Sequence, residues 1–475
     1  MPNYYTPCTQ CQWRGKITLS ISKRARARYA RRLYQFEQWD ATVVKPRALA
    51  CHIDICNDCA GSGLVSCENF PKVDTNNYPH IAIIGGGIWW VALAVACLHR
   101  GIPYTLYERD ESFDVRSQGY WLTLQQASKA IEWLGIVWLQ DGLTSTRHVV
   151  HDTAGWVIGE WGRRKILNLE DQKANKRRNI HISRQALRRQ LLDQLHNDQN
   201  IAWGHCLKWI SGNWNAQLDL EFQVGDTRQI TRSDLVVGAD GIRSCVRSLS
   251  LEDNTSPLQY LWCIVMLGIC PLDNLTHIET ELLDSATVFQ TVNGHERMYM
   301  MPYDKDTIMW QLSFPMSEAD AIALSKKGPE ALKQEGINRL WDWHTPIPEI
   351  LHATQTSLIS GYPVYDREVL KPEDLKNLWS ITLLWDAMHP MSPFKGQGAN
   401  QAILDALDLA RDISIKCGPD SNWKEKWLRE TVLEDFEKQM LKRSTPKVHD
   451  SAQAVKLLHS DAVLHDGDMP RGRGI

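Results

Sequence analysis

Three groups of residues in this chain have the types and spacings that chemistry requires. The first is a set of thiols: Cys8 and Cys11, then Cys56 and Cys59, two Cys-x-x-Cys pairs. Four thiolates so spaced supply a tetrahedral structural zinc site, and glycines beside them free backbone amides to hydrogen-bond the sulfurs. Cys51 and Cys67 are substitute ligands. The second group is a glycine turn and an acid. His80-Ile-Ala-Ile-Ile-Gly85-Gly86-Gly87 reads as strand and turn, a helix follows, and Glu108 ends the next strand. Gly85 and Gly87 permit a tight turn whose amides approach a pyrophosphate at the helix start, and Glu108 is placed to accept from a ribose hydroxyl. The third group is a pair of strand-end carboxylates with their loops. Asp240 lies in Gly-Ala-Asp240-Gly241, and Asp386 precedes His389-Pro390-Met-Ser-Pro393-Phe-Lys-Gly396-Gln397-Gly398-Ala-Asn400. Ligands of open α/β sheets bind at such strand ends. Amides at a helix starting near Gly398 stabilise negative charge on a ring system.

Alternation and capping signals predict the elements that position these groups. The unit at about 80–110 is strand, helix, strand. Residues 121–140 read as helix and 145–170 as strands with glycine turns. Ser183 caps a helix running to Asn197. Strands dominate 200–237 and 258–315, helices 317–355, and a last strand-turn-helix spans Leu383 to Ala410. The tail after Pro446 reads as weakly ordered. The fold class is therefore α/β: a Rossmann-like nucleotide domain interleaved with a β-sheet substrate domain, plus a small N-terminal zinc module. The boundaries read as a Cys-rich module at 1–70 and a linker at 71–79. The nucleotide domain with part of the substrate domain follows at 80–256, then the substrate domain at 257–375. The nucleotide domain resumes at 376–417, and a C-terminal helix and tail fill 418–475.

Composition narrows the function classes. The chain has 475 residues and a net charge of -3, which excludes whole-chain polyanion binding. The basic run Lys23 to Arg32 reads as a solvated helix face, so nucleic acid is not an expected partner. No apolar run spans a bilayer, and the N-terminus lacks the regions of a secretory signal, so a cytoplasmic protein is expected. Of twelve cysteines, six fall before residue 68 and the rest read as buried thiols, without a disulfide framework.

The three nucleotide motifs, in this order, resemble the single-component FAD-dependent aromatic monooxygenases, the para-hydroxybenzoate hydroxylase-like group, over roughly residues 80–415. The resemblance implies that Gly85, Gly87 and Glu108 hold the ADP half of FAD. Asp240 and Gly241 would sit near the pyrophosphate and help a nicotinamide cofactor dock. Asp386 would bind ribitol or pyrophosphate, and Pro393, Gly396, Gln397, Gly398 and Asn400 would line the isoalloxazine. Arg184 and Arg116 match arginines near the flavin. It also implies the chemistry: NAD(P)H reduces FAD, O2 adds, and a flavin C4a-hydroperoxide hydroxylates a small aromatic or other electron-rich substrate. His389 would shape the flavin loop without acting as a base. Residues 258–375 would form the pocket, although Phe289, Met298, Tyr299, Met300, Trp310 and Phe314 individually read better as sheet core. The two cysteine units resemble the zinc repeats of the DnaJ-type cysteine-rich domain, which implies structural Zn2+ and a role in stapling a small domain or binding a protein partner. Two alternatives stand beside this reading. One is a flavin-dependent halogenase, suggested by Trp341-Asp-Trp343-His-Thr-Pro346; the other is a non-catalytic binding protein.

Tryptophan departs from the pattern. There are 20 Trp against 8 Phe. Trp89, Trp90, Trp121 and Trp385 stand where the family has glycine, and Trp13 stands where Gly61 falls in the second cysteine unit. Trp133, Trp138, Trp156, Trp262 and Trp379 also sit at turn or packing sites. An indole in place of the third glycine would push helix and sheet apart. One expectation removes the conflict: UGA codons read as glycine in the source organism are rendered here as tryptophan.

Overall fold

The computed structural model describes residues 4–38, 49, 52–69, 71–85, 87–115, 121–125, 127–136, 138–162, 180–195, 200–212, 217–252, 255–468 and 470. The chain divides into two compact units, Met1–Lys72 and Val73–Ile475.

In the first unit, two short antiparallel sheets pair Tyr4–Pro7 with Leu64–Cys67 and Lys16–Leu19 with His52–Ile55. They bring the two cysteine turns together, and the four cysteines are its buried apolar cluster. The basic run belongs to a helix, Lys23–Gln38.

The second unit contains a five-stranded parallel sheet in the order Ile201–Ala202, Tyr104–Tyr107, Ile81–Ile84, Leu235–Gly238, Ile381–Leu383. Numbered along the chain, that order is 3-2-1-4-5, which reverses beside Ile81–Ile84 and opens a ligand crevice at that strand end. The sheet strands are almost wholly buried, as continuous apolar runs such as Ile-Ala-Ile-Ile require. Helices Ile88–Leu98 and Gly398–Lys416 contribute to the same core.

A seven-stranded, mainly antiparallel sheet has the order Val157–Trp161, Arg147–His151, Thr287–Val292, Arg297–Pro302, Thr307–Pro315, Leu258–Pro271, Ile359–Arg367. Its two faces differ. Phe289, Met298, Met300, Trp310 and Phe314 point to one face and pack with residues of helices Glu318–Lys326, Pro329–Leu340 and Ile347–Ala353. Their strand neighbours point to the other face.

Two segments differ from the sequence reading. Residues 121–124 form a strand, Trp121–Leu124, paired with Ile180–Ser183, and only Ser128–Glu132 of that stretch is α-helical. The helix Glu434–Leu458 runs straight through Pro446. Proline inside a helix costs about 3 kcal/mol. Buried Val448, Val455 and Leu458 beyond it offset that cost at about 1.5–3 kcal/mol each. Residues 74–78 form a turn anchored by Asp74, and Trp423 donates its indole N–H to the Asn77 carbonyl at 2.6 Å. Among the described residues no helix is long and apolar enough to cross a membrane.

Candidate flavin and substrate site

The three nucleotide motifs meet at the strand ends. Gly85 has φ +124°, and a Cβ there would stand 2.6 Å from the Ala239 carbonyl oxygen and 2.7 Å from Asp240 Cα. The neighbouring turn leaves no space for any side chain, so only glycine fits. Leu384 N–H donates to Gly238 O at 2.9 Å, which sets Trp385 and Asp386 beside the same edge. Gly87 faces open space. Glu108 is buried and accepts the Asp110 N–H at 2.9 Å. Asp240 is committed locally. Its carboxylate takes the Ser244 hydroxyl and the amides of Cys245 (2.6 Å) and Val246 (3.2 Å), capping helix Cys245–Ser250. Burial raises its carboxyl above the usual range, and those hydrogen bonds pull it back. Arg116 lies outside the described residues.

The loop from Pro390 to Asn400 is held by its own chemistry. Gly396 has φ +59°. Asn400, wholly buried, uses all its hydrogen-bonding capacity: it donates to Thr123 O (3.0 Å) and Gly396 O (2.9 Å) and accepts from Gln125 N (2.9 Å) and Ala127 N (3.0 Å). Gln397 donates to Gln125 Oε1 at 2.8 Å. His389 pairs with Asp405 at 2.8 Å, both fully inside, and Asp405 also bonds Arg443 of the helix Glu434–Leu458. His389 thus ties the loop to the helix that follows it.

A cavity of about 830 Å³ lies against this loop. Its walls include Trp89, Arg184, Asp386, Pro393, Gly396, Gln397 and Gly398. Burial raises the Asp386 carboxyl, opposed by the charges of Arg184 and His389. The opposite wall is the open face of the large sheet, with Gln290, Arg297, Tyr299, Met309 and Gln311. Of the six aromatic and Met residues weighed from sequence, only Tyr299 lines the cavity; the other five lie in the core beneath. Trp343 is in that core and Trp341 is exposed, and neither is among the described lining residues.

Arg297 carries the strongest signal that the sequence reading missed. It is 5% exposed, and among the described residues no carboxylate lies within ion-pair distance. Its Nε donates to Gln290 Oε1 at 2.8 Å, and its guanidinium lies 4.6 Å from the Tyr299 ring centre. Burial lowers it to about 10, so it stays charged at neutral pH. Strand alternation with a lone cation, Arg297-Met-Tyr-Met-Met, was the available clue. His181 also lines the cavity; it holds Thr123 Oγ1 at 3.1 Å and Ser145 Oγ at 2.8 Å, and Ser145 holds His148 at 3.1 Å.

In the N-terminal unit, Cys8 and Cys56 sulfurs stand 3.7 Å apart and Cys11 and Cys59 sulfurs 3.6 Å apart, with all four sulfurs within 4.8 Å of one another. A tetrahedron with metal–sulfur bonds of about 2.3 Å has edges of about 3.8 Å. Gly15 N–H points at Cys11 Sγ (3.3 Å) and Gly63 N–H at Cys59 Sγ (3.2 Å).

A parallel sheet with a glycine crevice, joined to a polar-faced sheet across a loop, defines a flavoprotein-like class. Residues 79–417 match the family model described as "FAD binding domain", and the chain belongs to that family. It is 27% identical over 343 residues to aurachin C monooxygenase/isomerase of Stigmatella aurantiaca, covering 71% of this chain and 81% of that protein. It is 26% identical over 435 residues to a probable FAD-dependent monooxygenase of Arthroderma benhamiae, covering 84% and 96%. The fold matches Klebsiella pneumoniae HpxO, crystallised with FAD and uric acid, at a TM-score of 0.65 and 19% identity over 80% of this chain and 88% of that one. The protein is thus an FAD-dependent monooxygenase, an oxidoreductase.

The residues as they stand do not fit the ADP half of FAD. The cavity reaches Trp89, but its described walls include neither Gly85, Gly87 nor Glu108. Trp89 and Trp385 form its wall at the crevice, where the nucleotide would enter. The backbone frame is present and two indoles stand in it.

Proposed function

We propose that this chain hydroxylates a small aromatic substrate bearing an anionic group, with FAD in the crevice and NAD(P)H as the reductant. The observation that carries the reading is Arg297, a buried cation on the cavity wall facing the Pro393–Gly398 loop, with no carboxylate partner among the described residues. A buried charge is costly unless paired, and an anion on the substrate supplies the pair. Gln290 orients the guanidinium, and Tyr299 offers an aromatic surface beside it. In this reading Gly85, Gly87 and Glu108 take the ADP portion once the indoles at 89 and 385 are absent. Asp386 and Arg184 flank the central part of the cofactor. Pro393, Gly396, Gln397 and Gly398 border its ring. Asn400 acts by holding the loop, and Asp240 by shaping the turn that Gly241 ends. Cys8, Cys11, Cys56 and Cys59 hold a structural zinc ion, leaving a surface that a protein partner can use.

The test is binding and turnover by the full chain with glycine at 89, 90 and 385. Yellow flavin absorbance, and NADH or NADPH oxidation stimulated by an aromatic carboxylate and not by its neutral amide, are expected. Stimulation by the neutral compound alone would refute the anionic substrate.

A further inference from the structure

We infer that the working protein carries glycine at seven positions that read as tryptophan: Trp13, Trp89, Trp90, Trp262, Trp379, Trp385 and Trp427.

The backbone is the first argument. Among the described residues, nine non-glycine residues have left-handed φ, and five of them are Trp13 (+65°), Trp262 (+56°), Trp379 (+48°), Trp385 (+56°) and Trp427 (+59°). Tryptophan is only 20 of 475 residues, so chance would place less than one there. Asn and Asp, which tolerate this region best among side chains, contribute none. Trp427 combines φ 59° with ψ 166°, a region that is essentially glycine's alone. Trp262 sits where the pairing of Leu258–Pro271 with Ile359–Arg367 shifts register, and a left-handed glycine is the usual device at such a bulge.

The cysteine repeat is an internal control. Cys8-x-x-Cys11-x-Trp13-x-Gly15 and Cys56-x-x-Cys59-x-Gly61-x-Gly63 follow the same path. Gly15 (+65°) corresponds to Gly63 (+79°), and Trp13 (+65°) to Gly61 (+89°). The second copy shows which residue the first one needs.

Side-chain environments separate Trp310 from Trp90, whereas Trp385, whose indole N–H donates to the Ala402 carbonyl at 2.5 Å, is set apart by its backbone and its place on the crevice. Trp310 is buried, donates its indole N–H to Thr354 at 2.9 Å, and lies over Gly268, where a Cβ would come within 2.4 Å of the ring. The fold has made room for that indole. Trp90 is equally buried, but among the described residues its indole nitrogen has no hydrogen-bond partner, a feature Trp121 shares. Trp89 and Trp385 wall the crevice that the family's cofactor needs. Trp121, Trp133, Trp138 and Trp156 show no left-handed φ, so the backbone does not demand glycine at those sites.

A single cause accounts for the pattern. UGA differs from the tryptophan codon UGG in its last base. A gene whose host inserts glycine at UGA, translated with UGA as tryptophan, shows tryptophan wherever that host places glycine.

The experiment is peptide mapping by mass spectrometry of the protein from its source organism, read beside the codons. Glycine at the seven positions, encoded by UGA, with tryptophan and UGG at Trp310, is expected. Tryptophan at Trp385 or at the pair Trp89 and Trp90 would overturn the inference. A second arm uses the chain as printed. Trp262→Gly should raise the melting temperature by about 1–3 °C, whereas Trp341→Gly, as exposed (70%) but with an ordinary helical φ of -62°, should lower it. Equal losses would count against glycine at 262. The inference for Trp89 and Trp90 rests on the flavin reading; the left-handed sites do not. Glycine found without FAD binding would refute the proposed function and leave the inference standing.

Discussion

Asn400 donates its side-chain amide to the Thr123 carbonyl at 3.0 Å, joining the start of helix Gly398–Lys416 to strand Trp121–Leu124 across 277 residues of chain. Its oxygen takes two amides of the segment that follows that strand, Gln125 and Ala127. The loop against the cavity is therefore rigid because one buried amide is fully satisfied. Asn400→Ala leaves both amides without an acceptor, and each buried orphan costs about 1–3 kcal/mol. The urea midpoint should fall accordingly; an unchanged midpoint would remove the clasp from the account.

In the proposed reading Arg297 selects for anionic ligands. Truncating one partner of a buried charge pair costs about 2–5 kcal/mol. Arg297→Met should therefore weaken binding of an aromatic carboxylate by 30-fold or more, while binding of the matching amide changes little. Calorimetric titration of both ligands checks this. Arg297→Lys keeps the charge but loses the planar bond to Gln290, so it should fall between the two.

The frame was legible in the sequence because backbone demands are local. The strand and turn at Ile81–Gly85, and the Ser183 cap with its 3.0 Å bond to Ala186, follow from neighbouring residues alone. The substrate wall was less legible, since the face a strand residue presents depends on which side the helices cover. Phe289 and Gln290 are adjacent, yet one is core and the other lines the cavity. The conformation of Trp427 was hidden as well. No motif marks it, and only the backbone angles reveal what that position requires.

His181 offers a pH test at one residue. Burial is the main cause of its lowered value, about 3, with a smaller contribution from the charge on His148. An unfolded histidine titrates near 6.5. Because the folded value is the lower one, the unfolded chain binds the proton first. Stability from this site is full above about 6.5 and is lost as pH falls toward about 3. His181→Gln removes the titration, keeps polar contacts available to Thr123 and Ser145, and leaves the other buried groups in place. The stability difference between variant and parent should thus shift in the variant's favour between pH 7.5 and pH 5. Chemical denaturation at both values measures it, and a pH-independent difference would contradict a neutral buried imidazole.

Metal removal tests the N-terminal unit. Its described strands are four residues each, and its buried apolar cluster is the four cysteines themselves. A unit that small lacks the core to fold by burial alone. Structural zinc in small peptides contributes about 10–16 kcal/mol of apparent binding energy, so the ion dominates such a fold. The purified protein should contain one zinc per chain. A strong chelator should release it and expose the backbone between Cys8 and Cys67 to protease. Cys59→Ser should weaken retention, since a neutral hydroxyl replaces one thiolate of the tetrahedron. Protease resistance that survives complete chelation would show that the cysteines pack without a metal, and the zinc assignment would fall.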